Sequence, residues 1–120
     1  SFETDIPRDL PQISLDQTKI RQALFNLLRN AQESIQHTHG KILFSASAVP
    51  DGVQITISDN GCGMTEDQIE NAFRPFVTYK PGGTGLGLAV TRQIIEAHQG
   101  TLCVESTPKE GTSFYIFLPG

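Results

Sequence analysis

A chain of 120 residues with 38% hydrophobic side chains is sized for one domain around a single two-layer core. Its formal charge of −4 argues against a general role on nucleic acid or on a membrane surface, which would leave a basic patch or a basic helix. No run of residues reaches the length of a membrane span and no signal peptide is visible. Cys62 and Cys103 stand far apart without metal-ligand spacing, as two free thiols in a reducing compartment would, so a cytoplasmic setting is expected, with a parent protein that could still be membrane-bound. The chain opens at Ser1 without a Met, as an excised piece of a longer protein does.

Residues 1 to 15 hold Pro7 and Pro11 and a short alternation, Ile13 and Leu15, which reads as an extended lead-in with an edge strand. Asp16 is a suitable helix N-cap. Beyond it Ile20, Leu24, Leu27, Leu28, Ala31 and Ile35 recur at helical spacing and predict a first helix of about five turns, stopped by Gly40. Gln22, Asn26, Asn30 and Glu33 share one polar stripe of this helix. Asn is a poorer helix former than Ala by roughly half a kcal/mol, yet it occurs twice in mid-helix. A solvated face is one account of the stripe. Amide oxygens and a carboxylate gathered for a hard cation are the other, and Mg²⁺ takes few protein oxygens together with water and substrate phosphates.

A hairpin follows. Ile42, Phe44, Ala46 and Ala48 alternate with polar or small residues, Pro50, Asp51 and Gly52 turn the chain, and Val53, Ile55 and Ile57 alternate in the return strand. One more step of that alternation puts Asp59 on the apolar side, a carboxylate at the mouth of the core face. Asn60, Gly61, Cys62 and Gly63 then break the strand and open space beside it. Asp59 fits a turn-forming role. It equally fits a ligand role, since an ionised Asp only accepts hydrogen bonds and so suits the exocyclic amine of adenine and not the carbonyl of guanine.

Thr65 and Gln68 form a T-x-x-Q capping box that opens a short helix through about Ala72. Phe73, Pro75 and Phe76 end it; the two aromatics fit core residues and also a lid that packs down on a ligand, and residues 65 to 84 as a whole read as that lid, carrying Phe76, Lys80 and Thr84. Lys80 is the only cation near the N-terminal side of the glycine run that follows, which makes it a phosphate partner or a solvated surface lysine. In that run, GGTGLGL from Gly82 to Leu88, four glycines precede and open a helix, although glycine is costly to order. Bare backbone at a helix N-terminus suits an anion such as phosphate. Neither G-x-x-x-x-G-K-[ST] nor G-x-G-x-x-G is present, because Val90 stands where the dinucleotide fingerprint needs its third glycine.

The second long helix turns Leu86, Val90, Ile94 and Ala97 inward and stops at Gly100. A second hairpin closes the chain, with Leu102 and Val104 in one strand, a turn over residues 107 to 111, and Phe114, Ile116 and Leu118 in the other. The expected fold is α+β: a two-layer sandwich with about three helices on one face of a mixed five-stranded sheet.

Together these stretches resemble the ATP-binding catalytic domain of sensor histidine kinases, of the Bergerat-fold group that includes gyrase, the Hsp90 chaperones and MutL. FNLLRNAQES (Phe25 to Ser34) looks like that family's N box, DNGCGM (Asp59 to Met64) its first glycine box, FRPF (Phe73 to Phe76) its F box and GTGLGL (Gly83 to Leu88) its second. The likeness covers Asp16 to Pro119, and the wording of the lid looks nearest to nitrogen-regulation-type kinases. It implies ATP and Mg²⁺ as ligands, with Asn30 on the metal between the phosphates, Asn26 and Glu33 nearby, and Asp59 on the adenine amine. Gly61 and Gly63 would clear room for the base, Met64 would pack on it, and Thr112 would lie near its water network. Phe76, Lys80 and Thr84 of the lid and Gly85, Leu86, Gly87 and Leu88 at the helix start would serve the nucleotide, the last four through backbone N–H groups. Many relatives carry a Lys three positions after the metal Asn. Here Glu33 stands there, which shifts charge neutralisation toward Lys80 and Mg²⁺.

Hydrolysing relatives place a Glu four residues before the metal Asn as base toward water, and this chain has Asn26, an amide that cannot take a proton. Transfer of the γ-phosphoryl group to a protein is therefore expected over hydrolysis, by positioning and charge neutralisation, with Asn26, Asn30 and Lys80 in the catalytic roles. The family's phosphorylated His precedes an acidic residue. His37, His39 and His98 precede Thr38, Gly40 and Gln99, so the acceptor is expected on a separate dimerisation domain, with a response regulator downstream and this piece alone a monomer. An ATPase of the gyrase and Hsp90 type, a nucleotide-sensing module without transfer and a pure interaction domain are the competing expectations.

Overall fold

The computed structural model describes residues 2–5, 17–35, 39–73 and 87–119. Among them the elements run β1 (Phe2–Asp5), α1 (Gln17–Ser34), β2 (Ile42–Val49), β3 (Gly52–Asp59), α2 (Glu66–Asn71), α3 (Gly87–Ala97), β4 (Thr101–Thr107) and β5 (Gly111–Pro119). The strands form one five-stranded sheet in the order β1-β2-β3-β5-β4. β1 lies parallel to β2, and the other neighbours are antiparallel. The sheet is therefore mixed, as the sequence predicts. Its edge strand falls at Phe2–Asp5, ahead of the Ile13 and Leu15 alternation, which lies outside the described residues, as does Asp16.

α1 and α3 pack against one another and against the sheet. Ile20, Ala23, Leu27 and Ala31 form the buried stripe of α1, with Leu24 and Leu28 half-buried at its borders. The helix ends at Ser34, so Gly40 does not terminate it. Instead Gly40 packs on Ile35: a Cβ there would stand 2.3 Å from Ile35 Cγ2. In α3 the deepest residues are Thr91, Ile94 and Ile95, with Ala89 beside them. Of the predicted inward residues Ile94 is buried and Val90 packs half-buried on the core, whereas Ala97 is exposed and Leu86 lies outside the described residues; the stripe is centred on Thr91 and Ile95. The helix also ends differently from the sequence expectation. Gln99 takes φ 62, its N–H donates to Glu96 O at 2.9 Å and the Gly100 N–H donates to Ile95 O at 2.9 Å, a Schellman termination in which Gln99 supplies the left-handed residue. Gly100 serves a second need, because a Cβ on it would meet Phe117 O at 2.2 Å.

The predicted capping box opens α2: the Thr65 N–H donates to Gln68 Oε1 at 2.9 Å and the Gln68 N–H to Thr65 Oγ1 at 3.2 Å. α2 itself buries no residue. It is anchored through Phe73, which packs on the core with the Arg92 guanidinium of α3 at 4.9 Å from its ring centroid. Of the two phenylalanines assigned to a lid, Phe73 therefore belongs to the core, and Phe76 lies outside the described residues.

Phe114, Leu27, Ile57, Ile95, Ile116 and Leu118 are the largest apolar side chains with no meaningful exposure. Truncating the largest, Phe114→Ala, is expected to cost about 3–5 kcal/mol by lost transfer energy and cavity, read as a lowered urea midpoint at unchanged slope. Gly100→Ala is expected to cost about 1–3 kcal/mol by overpacking against Phe117; a wild-type midpoint for Gly100→Ala would refute that close approach.

Candidate functional site

The cross-strand register stacks the core face into rungs. Ala46, Ile55, Ile116 and Leu102 share one, and Phe44, Ile57, Phe114 and Val104 the next. The rung beyond continues the same parity with Ile42, Asp59, Thr112 and Ser106. Chemistry thus changes abruptly along the face: after two apolar rungs the central and β4 strands present a carboxylate and two hydroxyls side by side. Thr112 is only 3% exposed. Asp59 Oδ2 is buried, while Oδ1 accepts the Gly61 N–H at 2.8 Å. Asp59 is thereby an Asx-type turn residue, one of the two roles that its sequence position left open, and its carboxylate stands at the mouth of the core face.

The loop after β3 is held on three sides. Toward α1, the Cys62 N–H donates to Ser34 O at 2.9 Å, satisfying one of the carbonyls a helix end leaves over, and Ser34 Oγ bonds back to Asn30 O at 2.9 Å. Toward the segment before β2, Asn60 Oδ1 accepts the Lys41 N–H at 2.7 Å and its Nδ2 donates to His39 O at 2.9 Å. Toward the β4–β5 turn, Cys62 O accepts the Lys109 N–H at 2.6 Å and the Met64 N–H donates to Ser106 Oγ at 2.8 Å. The glycines make these approaches possible. A Cβ on Gly61 would meet Ser34 O at 2.5 Å, and one on Gly63, at φ +68, would meet Thr107 O at 2.0 Å. Both glycines have a backbone-packing reason in addition to any room they leave for a ligand.

The stripe on α1 is split by burial. Asn26 and Asn30 are half-buried, whereas Gln22 and Glu33 are exposed. Asn30 sits one turn before the helix end that Cys62 caps, so the loop and the asparagines belong to one neighbourhood. The structure links Asp59, Gly61, Gly63, Met64 and Thr112 through the β3–β5 pairing, Ser106 and the β4–β5 turn, and ties the loop at Gly61 and Cys62 to the end of α1. Gly87 begins α3 as described, and Leu88 is half-buried against the core. Phe76, Lys80, Thr84, Gly85 and Leu86 lie outside the described residues. Three residues make contacts that the local sequence did not announce: Ser34, Asn60, which was read only as a strand breaker, and Ser106. Each acts through a bond to a residue distant in the chain, and neither periodicity nor a motif expresses such a bond. Among the described residues no group of three His, Cys, Asp or Glu side chains could hold a metal, and no helix is long and apolar enough to cross a membrane.

Residues 15–120 match the family described as histidine kinase-, DNA gyrase B- and HSP90-like ATPase. The chain is 43% identical over 104 residues to sporulation kinase B of Bacillus subtilis, covering 87% of this chain and 24% of that protein. It therefore spans about a quarter of that kinase's length. Among solved structures, a mycobacterial sensor histidine kinase, MprB, matches with TM-score 0.86 at 29% identity over 99% of this chain and 80% of that one. Full-length ShkA in complex with AMPPNP matches with TM-score 0.84 at 29% identity over 99% of this chain and 26% of that one. A polar rung capping an apolar sheet face, a glycine loop tied to the end of the first long helix, and these matches lead to one conclusion: the chain belongs to the histidine kinase-, DNA gyrase B- and HSP90-like ATPase family.

Proposed function

We propose that this chain is the ATP-binding catalytic domain of a longer sensor histidine kinase, which transfers the γ-phosphoryl group of ATP to a histidine on a separate dimerisation domain in two-component signalling. The observation that carries the reading is the Asp59–Thr112 rung, where a carboxylate that only accepts hydrogen bonds closes the core face, as a base with an exocyclic amine requires. Met64 and the loop ahead of it flank that rung and would border the base. Phosphates would reach the backbone N–H groups at the head of α3, where the helix dipole favours anions. ShkA was solved with AMPPNP, which agrees with a nucleotide in this fold.

The residues fit Mg²⁺ by the chemistry of their donors. Asn30, with Asn26 one turn before it, offers a neutral amide oxygen, and few protein oxygens suffice when phosphates and water complete the shell. When bound there, Mg²⁺ would supply neutralisation of phosphate charge. The chain's own contribution is positioning: Asp59 fixes the base, the end of α1 fixes the asparagines, and the tail is held for in-line attack by an imidazole nitrogen. In that transfer the bond from the γ-phosphorus to the bridging oxygen breaks, a phosphorus–nitrogen bond forms, and ADP leaves. Asn26 cannot accept a proton from water, which disfavours the hydrolytic reading.

Mixing the protein with a separately made acceptor-helix domain and γ-labelled ATP is expected to yield phosphohistidine. Nucleotide binding without phosphohistidine would leave a sensing module, and no thermal shift with Mg-ADP would leave an interaction domain. Ligand at 100 times its Kd should add about 2.7 kcal/mol of stability. Asn30→Ala is expected to abolish the Mg²⁺-dependent part of that shift. Asp59→Asn keeps the acceptor for the Gly61 N–H but replaces the other oxygen by a donor. It is expected to weaken ADP binding by about 1.5–3 kcal/mol, the worth of a hydrogen bond to a charged group, measured by titration calorimetry.

A further inference from the structure

The hydroxyl of Ser106 lies at the junction of three polar contacts. It stands 2.8 Å from the Met64 N–H, 3.0 Å from Gly111 O and 2.7 Å from Thr112 Oγ1. A serine hydroxyl has one proton and two lone pairs. Met64 N–H can only donate and Gly111 O can only accept, so the Ser106 proton goes to Gly111 O and one lone pair goes to Met64. All three contacts are then satisfied by a single assignment: the proton between Ser106 and Thr112 is the threonine's. Thr112 spends its only proton on Ser106 and retains lone pairs alone. Gly111 keeps this geometry in place, because at φ +131 a Cβ would meet Asp59 O at 2.0 Å.

Thr112 is directly opposite Asp59 on the neighbouring strand and on the same face. With its hydroxyl oriented in this way, both groups of the rung are acceptors. We infer that Ser106 is a positioning residue that holds the Thr112 hydroxyl as an acceptor and so makes the rung select a base edge that brings donors, an amino-purine, over one that presents a carbonyl. The inference rests on the nucleotide reading above and adds a residue that sharpens the base preference Asp59 begins. Ser106 itself touches no base. Without it the Thr112 proton is released, the hydroxyl can turn to donate, and a carbonyl-bearing purine is no longer refused at that position.

ADP and IDP test this, because their bases differ at the amine itself: hypoxanthine carries a carbonyl there and a proton on the adjacent ring nitrogen. The wild-type protein is expected to prefer ADP. Ser106→Ala is expected to lose at least tenfold of the ADP over IDP ratio of Kd values, and Ser106→Thr, which keeps the hydroxyl, to restore it. Thr112→Val is expected to lose the preference too, with the Ser106→Ala/Thr112→Val double variant no worse than Thr112→Val. Equal weakening of ADP and IDP in Ser106→Ala would show a merely structural role and overturn the inference, as would additive effects in the double variant. If Ser106→Ala does not fold, Ser106→Cys, with its weaker hydrogen-bonding group, takes its place, and an unchanged ratio there overturns the inference. Failure of the wild-type protein to bind ADP at all would instead overturn the nucleotide reading.

Discussion

The register of β3 against β5 is the constraint on which the remaining structure rests. Ile55 opposite Ile116 and Ile57 opposite Phe114 bury two large pairs, and the next step along the same strands sets Asp59 opposite Thr112. A slip of one residue would turn Ser58 and Ser113 to the core and send Asp59 to the outer face. That slip is opposed by the burial of Ile57, Phe114 and Ile116, each fully enclosed. Hydrophobic packing therefore specifies where the carboxylate stands, although the carboxylate contributes nothing to that packing. The outer face reinforces the same register through Ser58 and Ser113 at 2.8 Å, while the Tyr115 hydroxyl donates to Glu105 Oε2 at 3.3 Å between β5 and β4.

From that rung outward, order is carried by hydrogen bonds to the backbone. The loop of Gly61 to Met64 is tied to the end of α1, to the segment before β2 and to the β4–β5 turn. A loop joined to three elements is arranged before any ligand arrives, which reduces the ordering cost that binding would otherwise carry. Its glycines are part of this arrangement. Gly61 and Gly63 let carbonyls of Ser34 and Thr107 approach closer than any Cβ allows. Lys109, at φ 68, is the turn residue that directs its N–H to Cys62 O, so an unusual backbone conformation in the second hairpin helps to hold the loop of the first.

Much of this architecture was legible in the residues. Helical spacing from Ile20 to Ala31, alternation in both hairpins and the Thr65–Gln68 capping box each specify an element through contacts within a few residues, and each element is present. Where local signals misled, a distant contact had prevailed. Gly40 looked like a helix stop but packs on Ile35, and Gly100 looked like the left-handed cap but is required by Phe117, leaving that cap to Gln99.

By itself, the sequence determined the order of the elements, the α+β class and the placing of Asp59 at the end of an apolar alternation, because each of these follows from periodicity along one segment. The tertiary structure alone decided which side chains Asp59 would stand beside and which way their protons point. Thr112 lies in β5, which pairs with β3 only after α3, Ser106 lies in β4 beyond it, and Met64 meets Ser106 across 42 residues of chain. Cross-strand neighbours are chosen by how two buried faces fit together, and that choice is written in no local spacing.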